Sequence, residues 1–258
     1  MLKGLEGKTV LVTGAAGGIG SEACRRLVAE GANVVATDIS DEASKALADT
    51  LAGKAVGVGA DISTAAGVAA AIEAGVAAFG GIDLAFANAG VECYAAPIAE
   101  FSEAEYDRVF NVNVRGAFLT AQAMVNHLTA AGKPGHILFT ASIAGLQGSP
   151  TTSIYNASKH AVIGIMKCLA LEVGSVGIRV NVLCPGVVDT RMMRALEESI
   201  GAANGVSAAD MKAAMEANAT LGRYATAEEI AAMAAWILSE EGAYCHGETF
   251  TIGGGLMA

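Results

Sequence analysis

The sequence lacks the features that would commit it to a membrane or to secretion. No uncharged apolar run reaches the roughly 18 residues that a membrane-spanning helix needs, and the Ala-rich stretch 65–79 is interrupted by Glu73. The opening segment, MLKGLEGKTVLVTG, carries charged residues ahead of any long apolar run, unlike a signal peptide. These absences lead us to expect a protein of the cytoplasm.

Paired cysteines and clustered metal ligands are also missing. The five cysteines are odd in number and include no C-x-x-C pair, which argues against a disulfide framework and against a thiolate metal site. The four histidines are scattered along the chain. We therefore expect reduced, mostly packed thiols and no bound metal.

Basic residues are scarce, because 16 Lys and Arg stand against 26 Asp and Glu and give a net charge of −10. A surface this acidic repels nucleic acids and anionic lipids, so neither is an expected partner. Only 16% of the residues are charged and 53% are hydrophobic, which is enough apolar material for a folded core. Because no Pro- and Ser-rich linker divides the chain, we predict a single domain over residues 1–258.

What the sequence does contain is a regular alternation of short apolar runs and helical stretches. The runs have no polar alternation, as expected for parallel strands that are buried on both faces. Seven strands are predicted, at residues 9–13, 33–38, 55–61, 82–90, 136–142, 178–186 and 248–252. The pattern predicts an α/β fold with a doubly wound parallel sheet and helices on both faces.

The helical stretches between these strands are predicted with approximate bounds. They lie at residues 19–30, 41–52, 64–79, from about 102, 113–131, 155–173 and 227–239. A Met- and Ala-rich stretch from about 190 to 218 has no clear assignment.

A glycine-rich turn, TGAAGGIG at 13–20, connects the first strand to the first helix. Gly14 can form the tight turn, and Gly18 and Gly20 allow phosphate and sheet to approach the helix closely. The helix N-terminus then offers free N–H groups to an anion. Because the turn lies in the first βαβ unit, a dinucleotide site is a better reading than a merely structural turn.

Asp38 ends the second strand, where a carboxylate can accept hydrogen bonds from the hydroxyls of the adenosine ribose. A helix-capping role is the alternative for this residue. No Arg or Lys in the glycine turn or next to Asp38 could balance a 2′-phosphate. We therefore predict NAD as the cofactor in preference to NADP.

The stretch YNASK at 155–159 places Tyr155 and Lys159 on one face of a helix. An ammonium group favours the phenolate, so Lys159 is predicted to bring the pKa of Tyr155 toward the working pH. Ser142 ends the fifth strand and can donate a hydrogen bond to a substrate oxygen as negative charge develops. Alone, a Tyr and a Lys at this spacing would be an ordinary helix-surface pair.

Taken in order, these motifs resemble the short-chain dehydrogenase/reductase family in its single-domain, NAD-preferring form. The resemblance covers nearly the whole chain and rests on TGAAGGIG, Asp61, NAG at 88–90, Asn113 in NVNVRG, Ser142, YNASK and CPGVVDT. It implies a Rossmann-type sheet of about seven strands. It also implies reversible hydride transfer between NAD and a secondary alcohol/ketone pair. The sequence departs from the usual pattern of this family at Ala87, before NAG, and at TIGGG (251–255). Neither departure changes a residue that would move protons.

The resemblance assigns roles to individual residues. Tyr155 would be the general acid/base, Lys159 would hold the nicotinamide ribose, Ser142 would polarise the substrate oxygen, and Asn113 would hold a proton-relay water. The cofactor would contact Gly14, Gly18, Ile19, Gly20, Asp38, Asp61, Ile62, Asn88, Ala89, Gly90, Tyr155, Lys159, Pro185, Gly186, Val188 and Thr190. A homotetramer is also implied by the resemblance.

The substrate is less well defined. The family places a mobile lid in the region that here spans about 190–218, and this stretch is rich in methionine. The predicted substrate contacts, besides Ser142 and Tyr155, are Tyr94, Leu146, Met192 and Met193. A mostly apolar pocket favours a lipophilic or cyclic alcohol or ketone, although half of these side chains could be helix core. Arg191 and Arg194 could meet a carboxylate, but solvated charges are the more common reading.

Three alternatives stay open at this point. The first is an NADP-dependent ketone reductase of the 3-oxoacyl type, which Asp38 disfavours. The second is a dinucleotide-binding sensor without catalysis, which the retained Ser142, Tyr155 and Lys159 disfavour. The third is a sugar-nucleotide epimerase or dehydratase, which would need a longer C-terminal segment.

Overall fold

A computed structural model describes all residues from 1 to 258. Its centre is one parallel sheet of seven strands in the order β3-β2-β1-β4-β5-β6-β7. The strands are β1 (Thr9–Thr13), β2 (Asn33–Asp38), β3 (Ala55–Gly59), β4 (Leu84–Ala87), β5 (Gly135–Thr140), β6 (Ile178–Pro185) and β7 (Thr249–Ile252). The predicted doubly wound parallel sheet of seven strands is therefore confirmed.

Nine α-helices connect and follow the strands. They are α1 (Gly18–Ala29), α2 (Asp41–Asp49), α3 (Ala65–Phe79), α4 (Glu103–Phe110), α5 (Ala117–Ala131), α6 (Ser153–Val173), α7 (Arg191–Asn204), α8 (Ala208–Asn218) and α9 (Ala227–Leu238). None of them is long and apolar enough to cross a bilayer.

The sheet separates two hydrophobic cores of similar size. One holds 23 buried residues and joins one sheet face to α1, α2 and α9. The other holds 22 and joins the opposite face to α3, α5 and α6. The inner strands β1 and β4 are buried along their whole length, which explains why their sequences are apolar without alternation.

Several boundaries differ from those predicted. Helix α2 ends at Asp49 rather than at residue 52, because Ala52 and Gly53 take left-handed φ values of 51° and 74°. Strand β4 covers only four of the nine predicted residues. Helix α6 begins at Ser153, two residues earlier than expected.

The largest differences lie in two segments. The helix predicted from residue 113 is preceded and opened by a π-helical turn at residues 111–116, which joins α4 to α5. The unassigned stretch 190–218 forms two helices, α7 and α8, whose N-termini are capped by the hydroxyls of Thr190 and Ser207. Neither the π turn nor the division into two helices has a strong pattern in the sequence.

Candidate active site

The candidate site lies at the C-terminal ends of the central strands. The order of the sheet reverses between β1 and β4, and the loops after these two strands leave in opposite directions. This switch point forms a crevice where open α/β sheets bind ligands. The glycine turn follows β1, the NAG segment follows β4, Ser142 follows β5 and Pro185 ends β6, so the sheet brings all four predicted motifs to one edge.

The glycine turn forms a close cradle at the N-terminus of α1. Gly14 has a left-handed φ of 65°, which a side chain would strain. A Cβ at Gly18 would lie 2.8 Å from Cγ2 of Thr190, so only glycine allows the turn and the β6 loop to approach this closely. The first turn of α1 has no side-chain cap and no acidic residue, which leaves its N–H groups free for an anion. The cradle fits the pyrophosphate of a dinucleotide.

Asp38 lies at the end of β2, beside this cradle. Its Oδ2 accepts a hydrogen bond of 3.0 Å from the backbone N–H of Ala16, so the carboxylate is held against the glycine turn. Asp61 follows β3, and its Oδ1 accepts from the N–H and the hydroxyl of Ser63 at 2.9 and 2.7 Å. The side chain of Ile62 is buried and directed at Gly116 of the π turn.

The NAG segment is fixed to β1 and β5 by hydrogen bonds that the sequence did not reveal. The hydroxyl of Thr13 accepts from the N–H groups of Asn88 and Ala89, both at 3.1 Å. The Asn88 side chain donates to the carbonyl of Thr13 at 3.2 Å and accepts from the hydroxyl of Thr140, also at 3.2 Å. Thr13 and Thr140 therefore position the segment, and their only signal in the sequence is their place at two strand ends.

Tyr155, Lys159 and Ser142 are brought together at the floor of the crevice. The Lys159 ammonium nitrogen lies 5.6 Å from the centre of the Tyr155 ring and donates a hydrogen bond of 3.1 Å to the carbonyl of Thr140. The Ser142 hydroxyl interacts with that of Tyr155. It also accepts from the N–H of Ala144 at 3.1 Å and lies 3.4 Å from the carbonyl of Pro185.

Burial dominates the titration of this group. Removal of the Tyr155 hydroxyl from water raises its pKa to about 12, although the hydrogen bond with Ser142 acts in the opposite direction. Burial also lowers the pKa of Lys159 to about 8. The predicted lowering of the Tyr155 pKa is therefore wrong for the protein alone, because desolvation of the hydroxyl outweighs the opposing effect of Ser142. A further positive charge in the crevice would oppose the upward shift of the Tyr155 pKa and would add to the downward shift of the Lys159 pKa.

Asn113 lies inside the π turn, behind the group formed by Ser142, Tyr155 and Lys159. Its Oδ1 accepts from the N–H of Val91 at 2.7 Å, and its Nδ2 donates to the Val91 carbonyl at 2.9 Å and to the Ser158 hydroxyl at 3.0 Å. A Cβ at Gly90 would lie 3.2 Å from Lys159 Nζ and 3.3 Å from Asn113 Oδ1, so these groups share one corner of the crevice. Because the side chain is fully engaged, a role in holding water would fall to the main-chain carbonyl of Asn113.

The loop after β6 lies between the crevice and α7. The N–H of Gly186 donates to the carbonyl of Ile252 at 2.8 Å, and the buried Val188 pairs with Ala225 in an isolated bridge. Thr190 caps α7 by accepting from the N–H of Met193 at 3.2 Å. Its methyl group reaches Gly18, so the predicted nicotinamide segment does contact the predicted phosphate segment.

The predicted substrate residues are dispersed around the mouth of the crevice. Tyr94 and Leu146 are exposed, and Met192 and Met193 are half-buried on the first turn of α7. Arg194 forms an exposed ion pair of 2.6 Å with Asp189, which supports the reading as a solvated charge.

An ion pair between a buried carboxylate and an exposed arginine was missed in the sequence. Glu105 and Arg108 of α4 pair at 2.9 Å, and Glu105 also accepts from the N–H of Tyr94 at 3.2 Å. Arg108 donates to the carbonyl of Glu92. The sequence offered only an i, i+3 charge pair, which is common on any exposed helix.

Comparisons with known proteins agree with this geometry. The family model described as short chain dehydrogenase matches residues 8–201. The chain is 36% identical over 255 residues to a 2,5-dichloro-2,5-cyclohexadiene-1,4-diol dehydrogenase of Sphingobium indicum, with 98% of each chain covered. It is 37% identical over 254 residues to a 3-alpha-(or 20-beta)-hydroxysteroid dehydrogenase of Mycobacterium tuberculosis, with 98% of this chain and 91% of the relative covered.

A solved structure is also similar over the whole chain. The 3-ketoacyl-(acyl-carrier-protein) reductase of Brucella melitensis, crystallised with NADH, superposes with a TM-score of 0.89 at 30% identity. The match covers 98% of this chain and 100% of that one. The fold and the crevice thus define a dinucleotide-binding oxidoreductase that acts on CH–OH donors and converts between secondary alcohols and ketones. The chain belongs to the short-chain dehydrogenase/reductase family, as the motifs indicated.

Proposed function

We propose that the protein is an NAD-dependent dehydrogenase of lipophilic or cyclic secondary alcohols. The observation that carries this proposal is the meeting of Ser142, Tyr155 and Lys159 beside the glycine cradle. A hydroxyl pair and a buried ammonium at this point can move a proton to and from a substrate oxygen. The cradle can hold the redox partner next to it.

The preference for NAD rests on Asp38. Its carboxylate is held by the N–H of Ala16 at the edge of the cradle, where a 2′-phosphate would meet its negative charge. The arginines nearest in sequence are on α1, and Arg25 and Arg26 are already paired with Glu22 and Glu30. A NADH-bound relative of the same fold is consistent with this preference.

The proposed mechanism assigns one task to each side chain. Bound NAD supplies the acceptor for the hydride that leaves the carbinol carbon. Ser142 redirects its weak hydrogen bond from the Pro185 carbonyl to the substrate oxygen and orients it. Tyr155 accepts the hydroxyl proton during oxidation and returns it during reduction. Lys159 stabilises the phenolate by its charge, from a position fixed by the Thr140 carbonyl.

The proton leaves Tyr155 through the corner where Lys159, Gly90 and Asn113 meet. We propose that the main-chain carbonyl of Asn113 holds the relay water there. The side chain of Asn113 meanwhile ties Val91 to Ser158 and so keeps this corner open.

The proposed substrate class follows from the walls of the crevice and from the relatives. Leu146, Met192 and Met193 supply apolar surface. The printed names of two relatives refer to a cyclohexadiene diol and to hydroxysteroids, which are cyclic alcohols. We propose that α7 and α8, residues 190–218 with their flanks, act as the lid over such a ring.

We also propose a homotetramer that works in the cytoplasm. The exposed Phe118 on α5 and Leu171 on α6 support packing between copies of these helices. Light scattering coupled to size-exclusion chromatography measures the number of chains directly. A monomer at micromolar concentration would contradict this part of the proposal.

The decisive experiment is absorbance-monitored NADH formation from NAD over a panel of secondary alcohols. Tyr155→Phe is measured beside the wild type, and NADH binding to both is followed by fluorescence. We expect turnover in the wild type alone and binding in both. Tighter binding of NADPH than of NADH would favour the NADP-dependent ketone reductase. Binding without turnover on any alcohol would favour the sensor.

A further inference from the structure

The loop that follows the NAG segment carries a half-buried carboxylate, Glu92, to which the proposed mechanism gives no task. Glu92 lies two residues after the NAG segment, on the loop between β4 and α4. This loop, α4 and the proposed lid helix α7 line a cavity of about 250 Å³ that is open to solvent, and Glu92 is among its lining residues. The volume is close to the lower end for small-ligand pockets, roughly 300 Å³.

The Glu92 carboxylate is free of any partner. Arg108 is near enough for the charge of Glu92 to raise its pKa, yet its guanidinium group is engaged elsewhere. It pairs with Glu105 and donates to the main-chain carbonyl of Glu92, so no hydrogen bond or ion pair reaches the Glu92 side chain. A half-buried carboxylate of this kind retains its full capacity to accept hydrogen bonds.

The position of Glu92 is fixed on both sides. Upstream, the N–H and carbonyl of Val91 are both bonded to the Asn113 side chain. Downstream, the N–H of Tyr94 donates to Glu105, and the N–H of Ala95 donates to the hydroxyl of Ser199 on the lid at 2.8 Å. The loop is therefore held before any substrate arrives, which reduces the free-energy cost of binding through Glu92.

Glu92 also lies near the reacting group. Its two chain neighbours, Val91 and Cys93, pack in the same small apolar cluster as Tyr155. The negative charge of Glu92 also acts to raise the pKa of Tyr155. A substrate whose carbinol oxygen meets Tyr155 and Ser142 can thus extend toward Glu92 with the rest of its ring. The cavity is also lined by Glu105, Arg108 and Ser199. These three side chains are already hydrogen-bonded to one another or to the main chain of the loop, so the Glu92 carboxylate is the acceptor that is left for a ligand.

We propose that Glu92 is a specificity-determining residue that accepts a hydrogen bond from a second hydroxyl of the substrate, so that the protein prefers cyclic diols to mono-alcohols of the same size. This inference rests on the proposed dehydrogenase function and names its substrate class more closely. Hydrogen bonds to charged groups discriminate strongly, because a missing hydroxyl leaves the carboxylate desolvated and unpaired.

The test compares substrates that differ only in the second group. NAD-dependent kcat/KM is measured for the cyclohexane-1,2-, -1,3- and -1,4-diols, 4-methylcyclohexanol and 4-aminocyclohexanol. The variant Glu92→Gln is matched by Glu103→Gln, which removes the same charge from the exposed first turn of α4. The wild type and the control should prefer the best diol to 4-methylcyclohexanol by about tenfold or more.

In Glu92→Gln most of this preference should disappear through a loss of diol kcat/KM, while 4-methylcyclohexanol is oxidised at least as well as before. The rise of its oxidation rate with pH should also begin at lower pH, because a negative charge near Tyr155 is gone. A merely structural role for Glu92 would reduce the rate on every alcohol and leave the pH profile in place.

Three results would overturn the inference. If the wild type and Glu92→Gln preferred the diol equally, Glu92 would have no role in substrate recognition, whereas the proposed dehydrogenase function would be unaffected. If the wild type preferred 4-aminocyclohexanol and Glu92→Gln lost this preference, Glu92 would recognise a cationic substituent of the substrate and not a second hydroxyl. Absence of turnover on the whole panel, with NADH still bound, would overturn the proposed function and the inference with it.

Discussion

The two halves of the crevice are built in different ways. On the cofactor side, the glycine turn and the NAG segment are held by main-chain groups and by Thr13, against strands that are wholly buried. On the substrate side, α7 buries only Glu197 and Gly201, and α8 buries no residue. The lid is connected to the opposite loop by one hydrogen bond, from the N–H of Ala95 to Ser199. A rigid cofactor side and a lightly packed lid allow one reaction to serve different substrates.

The largest expected effect comes from the group where the two halves meet. Tyr155→Phe should lower kcat by about a hundredfold to ten-thousandfold, because it removes the proton carrier and nothing else. Stopped-flow fluorescence should show unchanged NADH binding. Tyr244→Phe, at a fully exposed position, is the control and should keep full activity. A fully active Tyr155→Phe would contradict the proposed mechanism.

Lys159 should show opposite effects on activity and on stability. Burial lowers its pKa to about 8 from an ordinary 10.5, so the unfolded chain binds more protons between these two values. The contribution of Lys159 to stability is therefore unfavourable below pH 8 and fades as the pH rises to 10.5. Lys159→Met should raise the free energy of unfolding of the NAD-free protein by roughly 2 kcal/mol at pH 7, while most activity is lost.

The matched control for this prediction is Lys167→Met, eight residues along the same helix and exposed. Urea unfolding at pH 7 and at pH 10 measures the difference. The increase in the free energy of unfolding caused by Lys159→Met should be smaller at pH 10 than at pH 7. The control variant should change the free energy of unfolding little at either pH. A loss of stability at pH 7 would show that the hydrogen bond to Thr140 outweighs the burial of charge.

On the cofactor side, Asp38→Asn should weaken NADH binding by about tenfold and reduce the difference in affinity between NADH and NADPH. The amide oxygen can still accept from Ala16, so the turn should keep its shape. Fluorescence titration of both cofactors measures the effect, with Asp49→Asn at the exposed end of α2 as the control. An unchanged ratio of NADH affinity to NADPH affinity would mean that Asp38 does not contact the ribose.

The smallest effect is expected on the lid. Ser199→Ala removes the single bond to Ala95, and we expect KM for alcohols to rise by about threefold with kcat nearly unchanged, since one neutral hydrogen bond is lost. Limited proteolysis within residues 190–218 should become faster. Ser175→Ala, at an exposed position outside the crevice, provides the control. A fall in kcat by about threefold, with KM unchanged, would instead mean that Ser199 contributes to the chemical step.

The contrast between the halves also explains what the sequence could predict. Gly14 and Gly18 were identified because a glycine-rich turn between the first strand and the first helix is typical of a dinucleotide site. Tyr155 and Lys159 were identified because helix spacing alone joins them. The direction of the Tyr155 pKa was wrong, since a single sequence does not reveal how completely a hydroxyl is desolvated. The pair of Glu105 and Arg108, which holds the loop around Glu92, was missed because in the sequence it looks like any charged helix surface.

The π turn at 111–116 makes the protein sensitive to insertions and deletions of residues at this point of the chain. One residue more than an α-helix requires is accommodated there, between α4 and α5. Deleting one residue from this segment would return it to ordinary α-helical geometry and would change the directions in which the side chains of the turn point. Asn113 would then lose its hydrogen bonds to Val91 and Ser158, even though α5 could keep its apolar face against the sheet. Insertions and deletions should therefore be accepted in the lid long before they are accepted here.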